Sequence, residues 1–138
     1  FDHYQILQSK VYNADAILLI ATILTNNQIK DFLNLAKDCN LKCLIEVHNK
    51  EELLRIIKIG HRIIGINNRN LTNLKIDINN TLNLINLVPK DYIVVAESGI
   101  KTKEDIKNYN NQGIYNFLIG ESILKNNDVN KKIKSLIN

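Results

Sequence analysis

Five short apolar runs, each followed by a stretch of helical period, constrain this chain more than any other feature. They are Ala16 to Ile20, Leu41 to Val47, Ile63 to Ile66, Tyr92 to Ala96 and Asn116 to Ile119, and they are rich in β-branched residues. None has the strict alternation of a half-wet strand, so each reads as a strand buried on both faces. Between them, apolar residues recur three and four apart, as in Ile29, Phe32, Leu33 and Ala36, or Leu53, Ile56 and Ile57. That is the spacing of one helix face. The chain opens in helical pattern as well, so the expected order is a helix followed by five strand-helix units. Such alternation makes a parallel sheet and an α/β fold. Periodicity leaves two forms open, a doubly wound open sheet or part of an eight-stranded α/β barrel.

The helix ends are marked by residues that satisfy backbone groups left over at a terminus. Asp2 with Gln5, Asn49 with Glu52, and Thr102 with Asp105 have the spacing of capping boxes or close variants, and Asp128 opens the last helix. Gly60, Pro89 and Gly113 stand where helices should stop. No linker rich in Pro, Gly or Ser divides the chain, so residues 1–138 read as one domain. The connection from Asn67 to Asp77 is the longest after a strand and is a candidate functional loop.

Composition removes several classes of function. A hydrophobic content of 45% with 23% charged residues describes a globular chain. The net charge of +4 is spread over lysines that are not interleaved with aromatic residues, which argues against a nucleic-acid partner. No apolar run approaches the roughly 20 residues of a membrane span. The opening Phe1-Asp2-His3-Tyr4 is not a signal segment, so no membrane partner and a cytoplasmic location are expected. Cys39 and Cys43 have no second pair to complete a zinc site and read as reduced packing residues. His3, His48 and His61 form no cluster, each reading as a surface or packing residue, and no phosphate-binding loop, dinucleotide fingerprint or nucleophile elbow is visible. A cofactor-free and metal-free chemistry follows. The absence of an initiating Met, with an opening that is already helical, leads us to expect that the chain begins mid-protein.

Polar residues gather at the carboxyl end of four of the strands, which in a parallel sheet lie on the face where ligands bind. Glu46 shares a strand face with Leu44 and Lys42 and would point inward at a barrel mouth, as a general acid or base. The alternative is a strand-end Glu that caps a helix or pairs with a surface Lys. Asn67 and Arg69 offer an amide and a forked donor suited to carboxylate or phosphate, or simply an Asx turn that stabilises the loop. Ser98-Gly99 and Gly120 put small residues after two successive strands, where backbone N–H groups can approach an anion. If these follow strands seven and eight of a barrel, they occupy its usual phosphate site.

Four of these stretches together resemble a known family. Leu44-Ile45-Glu46-Val47-His48, Ile64-Gly65-Ile66-Asn67-Asn68-Arg69-Asn70-Leu71, Ala96-Glu97-Ser98-Gly99-Ile100 and Leu118-Ile119-Gly120-Glu121-Ser122 are similar, in order and spacing, to indole-3-glycerol phosphate synthases. Ala14-Asp15-Ala16-Ile17-Leu18-Leu19-Ile20 resembles the family's fourth strand, so the likeness covers essentially the whole chain. It implies part of a (β/α)8 TIM barrel, about five parallel strand-helix units preceded by a helix. It also implies a lyase that needs no cofactor, with a phosphorylated small molecule, 1-(2-carboxyphenylamino)-1-deoxyribulose 5-phosphate, as substrate. The family's enzyme is sometimes fused to phosphoribosylanthranilate isomerase.

The resemblance also implies roles. Glu46 looks like the strand-five glutamate that acts as general base or proton relay, and Asn67 like the strand-six asparagine that holds the substrate and orients catalytic groups. Arg69 matches a position near the substrate's carboxylate and phosphate, with Leu18 and Leu71 as apolar walls for the aromatic ring. Glu97 is a site carboxylate, while Ser98, Gly99, Gly120 and Glu121 resemble the phosphate cradle. The family's essential lysines lie on strands one and three, the latter in a Lys-Asp-Phe motif that would precede Asp2. The chain is therefore expected to be the C-terminal part of such a barrel, inactive alone. Rival readings are another phosphate-binding barrel, such as phosphoribosylanthranilate isomerase or thiazole synthase, and a non-catalytic phosphate-binding α/β module.

Overall fold

A computed structural model describes residues 2–137, so the domain bounds at Phe1 and Asn138 lie outside the described residues. Helix α1 (His3–Val11) is followed by β1 (Ala16–Ile20), a 3₁₀ turn (Ala21–Ile23), α2 (Asn26–Asp38), β2 (Lys42–Val47), α3 (Lys50–Ile59) and β3 (Ile63–Asn67). Then come α4 (Asn79–Leu84), a second 3₁₀ turn (Ile85–Leu87), β4 (Ile93–Glu97), α5 (Lys103–Asn110), β5 (Asn116–Leu118), α6 (Glu121–Leu124) and α7 (Val129–Ile137). The five strands form one sheet in the order β1-β2-β3-β4-β5, every pair parallel.

Strand order decides between the two forms left open by periodicity. A doubly wound sheet reverses its order at a switch point, whereas this one advances by one neighbour at each crossover. Right-handed crossovers that always step the same way place every helix on the same side of the sheet. The chain is thus an arc of an α/β barrel.

One face of the arc carries the core. Leu19, Cys43, Ile45, Val47, Ile64, Ile66, Val94 and Ala96 project to the helical side and pack with Ile29, Phe32, Ala36, Leu53 and Ile56. Each fully buried aliphatic side chain contributes about 1.5–3 kcal/mol of transfer free energy. The concave face differs from expectation. Leu18 is 39% exposed, Ile93 49% and Leu118 49%. Strands buried on both faces were expected, but among the described residues no strand lies across from the concave side. The alternation that this leaves, buried toward the helices and open inward, is plainest in β1.

Helix starts follow the sequence signals with one departure. Asp2 with Gln5 and Thr102 with Asp105 form reciprocal capping boxes, and so do Thr25 and Gln28, a pair that sequence reasoning missed. Asp128 accepts from the Lys131 N–H. At α3, the Asn49 side chain accepts from the Glu52 N–H at 2.9 Å, but Glu52 does not return to Asn49 N. Its carboxylate accepts instead from the His48 N–H at 2.8 Å, one residue earlier. The box is replaced by a bridge to the end of β2. The last strand also stops one residue early, at Leu118.

Candidate active site

The carboxyl ends of β2, β3, β4 and β5 lie side by side, and register sets what each side chain meets. Glu46 is aligned with Gly65, and Asn67 with Glu97. Gly65 has no side chain to occupy the surface between β2 and β4. A Cβ there would stand 1.9 Å from Glu97 Oε1 and 2.9 Å from its Cδ. The Glu97 carboxyl therefore lies over the Gly65 backbone, reaching toward Glu46.

Both carboxyls are buried, Glu46 at 5% exposure and Glu97 at 2%. Neither Oε1 has a protein donor in hydrogen-bonding geometry. Two ionised carboxylates repel and have no proton to share, so the hydrogen bond between them exists only when one keeps its proton. Burial, then the hydrogen bond to Glu46, then the Glu46 charge push the Glu97 carboxyl up to about 8 from 4.5. Near neutral pH the pair holds a proton on Glu97 and is a combined acid and base.

The Asn67-to-Asp77 connection is ordered by its own asparagines. Asn67 Oδ1 accepts from the Arg69 N–H at 2.8 Å, the Asx turn that its sequence also allowed. Asn70 Oδ1 accepts from the N–H groups of Thr72 and Asn73, and a short antiparallel bridge pairs Arg69 with Ile76. Asn68 clamps the base of the loop. Its amide donates to Ser98 O and to the Tyr109 hydroxyl, and its carbonyl accepts from Thr81 N and Oγ1. Tyr109 completes the clamp by donating to Ile78 O at 2.8 Å.

Beyond these loops opens a cavity of about 570 Å³ lined by Arg69, Ser98, Gly99, Gly120, Glu121 and Lys101 among others. Five residues predicted from sequence thus meet in one hollow. Ser98 and Gly99 both take positive φ, +65° and +82°, a turn that side chains resist. A Cβ on Gly99 would also strike Ile76 Cγ2 at 2.6 Å. Gly120 precedes α6, whose first N–H groups have no acceptor within the helix. These features suit an anion. The Glu121 side chain is the exception, because its carboxylate pairs with Arg69 and with Lys125. The hydrogen bond and charge of Lys125, followed by the charge of Arg69, hold it below the usual carboxylate range.

The remaining predicted residues are dispersed. Leu18 lines a separate hollow against α1, and Leu71 stands 42% exposed on the β3–α4 connection. Asn67 borders a cleft of about 280 Å³ with His48, Asn80 and Lys75. Sequence reasoning set aside His48, whose Nε2 lies 3.2 Å from Glu46 Oε1. Its place two residues beyond Glu46, on the same strand face, was the available signal. Lys101, Lys125 and Lys132 at the cavity were also missed, since lysines on helices and loops look like any solvated surface. His61 meets Cys43 O, and the His3 ring packs edge-on against Phe32. Both cysteines are free, and burial pushes the Cys43 thiol up to about 11. No helix among the described residues is long and apolar enough to cross a membrane.

Fold and site together define an arc of a (β/α)8 barrel whose ionisable groups collect at the carboxyl ends of its strands. Solved barrels share that architecture. The 3-hexulose-6-phosphate synthase from Salmonella typhimurium superposes with a TM-score of 0.80 at 12% identity, over 97% of this chain and 65% of that one. KGPDC from Streptococcus mutans gives 0.72 at 13% identity, over 98% and 64%. The family model for indole-3-glycerol phosphate synthase matches residues 1–136, and the chain belongs to that family. The synthase of Lachnoclostridium phytofermentans is 45% identical over 133 residues, covering 96% of this chain and 49% of that protein. That of Caldanaerobacter subterraneus is 51% identical over 124 residues, covering 90% and 48%. The chain spans about half the length of the curated relatives it matches.

Proposed function

We propose that this chain supplies the C-terminal five strand-helix units of an indole-3-glycerol phosphate synthase barrel, a carboxy-lyase of tryptophan biosynthesis. The substrate is 1-(2-carboxyphenylamino)-1-deoxyribulose 5-phosphate, closed to the indole with loss of carbon dioxide and water. The observation that carries the reading is the buried Glu46–Glu97 pair, with Glu97 protonated near neutrality. Ring closure followed by dehydration needs a proton given to a departing oxygen and a proton taken from carbon. A carboxylic acid beside a carboxylate can do both at one pH.

Glu46 is the base of the pair and Glu97 the acid. The phosphate sits in the cavity of Ser98, Gly99 and Gly120, received by backbone N–H groups and by Arg69, which the Glu121 carboxylate holds, with Lys125, until the anion arrives. Asn67 holds the β3 end of the site, and Leu18 and Leu71 form apolar walls once the concave face is covered. The resemblance implies that the cations for ring closure are lysines on strands one and three of the barrel, which these five strands would complete.

The test is indole-3-glycerol phosphate formation by the complete gene product beside a Glu46→Gln variant. Product formation that falls by about 10²–10⁴-fold in the variant is expected for loss of a general base. A complete gene product that binds inorganic phosphate yet forms no indole would return the chain to a phosphate-binding module.

A further inference from the structure

Beyond the Glu46–Glu97 pair, a second set of ionisable groups continues outward from the site. His48 Nε2 lies 3.2 Å from Glu46 Oε1. On the other side of the ring, Nδ1 lies 3.1 Å from Thr22 Oγ1 and 3.6 Å from Glu52 Oε2. Thr22 Oγ1 donates to Glu52 Oε1 at 3.0 Å. The elements packed here present the charged groups Glu46 from β2, Glu52 from α3 and Glu97 from β4. Lys75 and Asp77 border the adjoining cleft.

Counting protons fixes how the ring is used. The Thr22 hydroxyl has one proton, and a carboxylate is the stronger acceptor, so that proton goes to Glu52. The Thr22 oxygen must then accept from His48, which places a proton on Nδ1. A neutral His48 with Nδ1–H has a bare Nε2, and this nitrogen faces Glu46 Oε1. A bare Nε2 at 3.2 Å from Oε1 is placed to receive a proton that Glu46 has taken up. Both atoms are buried, and in the structure neither His48 Nε2 nor Glu46 Oε1 has a hydrogen-bond partner, which leaves both free to take up a proton.

We infer that His48 is a positioning residue for Glu46, holding through Thr22 and Glu52 a ring whose Nε2 exchanges one proton with the Glu46 carboxyl. When Glu46 has taken a proton from the substrate, that proton passes from Oε1 to Nε2. Glu46 returns to the carboxylate, His48 becomes the imidazolium, and the Glu52 carboxylate balances its charge. The cleft of about 280 Å³ beside His48 gives the ring a route to solvent that Glu46, at 5% exposure, lacks. Arg55 steadies this arrangement by donating to Leu24 O and Ala21 O, which ties the 3₁₀ turn carrying Thr22 to α3.

The inference rests on the synthase reading for what the proton is used for, and its test separates the two. In the complete gene product, His48→Gln keeps a neutral amide toward Glu46 but cannot carry the proton, and His48→Ala opens a hole. We expect kcat to fall about 10- to 100-fold in both with KM nearly unchanged, a smaller loss than for a group that touches substrate. Added imidazole should restore His48→Ala but not His48→Ala combined with Glu46→Gln. A loss that sits in KM, or a kcat loss that imidazole does not restore while the pH profile of kcat is unmoved, overturns the proposal. If no variant and no parent forms product, the synthase reading fails on its own. Ring ¹⁵N shifts still judge His48 in that case. A protonated Nδ1, with an Nε2 signal that changes in Glu46→Gln, supports the inference. A bare Nδ1 with a fixed Nε2–H indifferent to Glu46→Gln refutes it.

Discussion

Adding one methyl group at Gly65 tests the geometry on which the carboxyl pair depends. The new Cβ would fall 1.9 Å from Glu97 Oε1, whereas ordinary contact begins at 3.4 Å. The Glu97 carboxyl must therefore retreat by about 1.5 Å, since repulsion rises steeply inside contact distance. It is 2% exposed, so the retreat forces a strained rotamer and breaks the hydrogen bond with Glu46. Overpacking of this kind costs about 1–3 kcal/mol. In the Glu97→Ala background the obstacle is gone, and the same methyl should cost well under about 1 kcal/mol. Urea unfolding of the complete gene product, its Gly65→Ala and Glu97→Ala variants and the double variant closes the cycle. A coupling energy near zero would refute the reasoning, because it would mean that Gly65 is not required by the approach of Glu97. Activity should agree, with Gly65→Ala lowering kcat through Glu97 while Glu46 is untouched.

Three further outcomes follow from the same structure. Glu97 holds its proton up to about pH 8 when folded and only to about 4.5 when its environment is ordinary. Within that window the native state binds more protons than the unfolded chain, so stability falls as pH rises through it, by on the order of a few kcal/mol. Glu97→Gln should flatten that slope in chemical unfolding measured across roughly pH 5 to 9. Tyr109→Phe removes the donor to Ile78 O, in a part-buried bond, and the acceptor of the buried Asn68 amide, and should cost about 1–3 kcal/mol in the same assay. Glu121→Gln withdraws a carboxylate that competes for Arg69 and Lys125, so inorganic phosphate should bind more tightly by titration calorimetry, and more weakly in Arg69→Ala.

Much of the architecture was legible in the chain because it rests on local physics. Strand-length apolar runs, helical spacing and caps such as Asp2 with Gln5 act within a few residues of each other, so the order of elements and most of their ends could be placed. The placement of Glu46, Glu97, Ser98 and Gly120 at strand ends followed from the same reading, since parallel strands put those ends on one face. The wetness of the concave face was not legible, because it depends on what lies across from the sheet.

Tertiary structure decided what the polar residues do to one another. Nothing in the spacing of Gly65 and Glu97 says that the one lacks a side chain so that the other can lie over it. That comes from the β3–β4 register and the length of a glutamate side chain. Likewise Glu52 looked like half of a capping box until the fold brought His48 and Thr22 to it. A local signal reports what a residue can bond to among its neighbours in sequence. Desolvation, shared protons and ion pairs such as Arg69 with Glu121 depend on distance in space, and only the folded chain sets those distances.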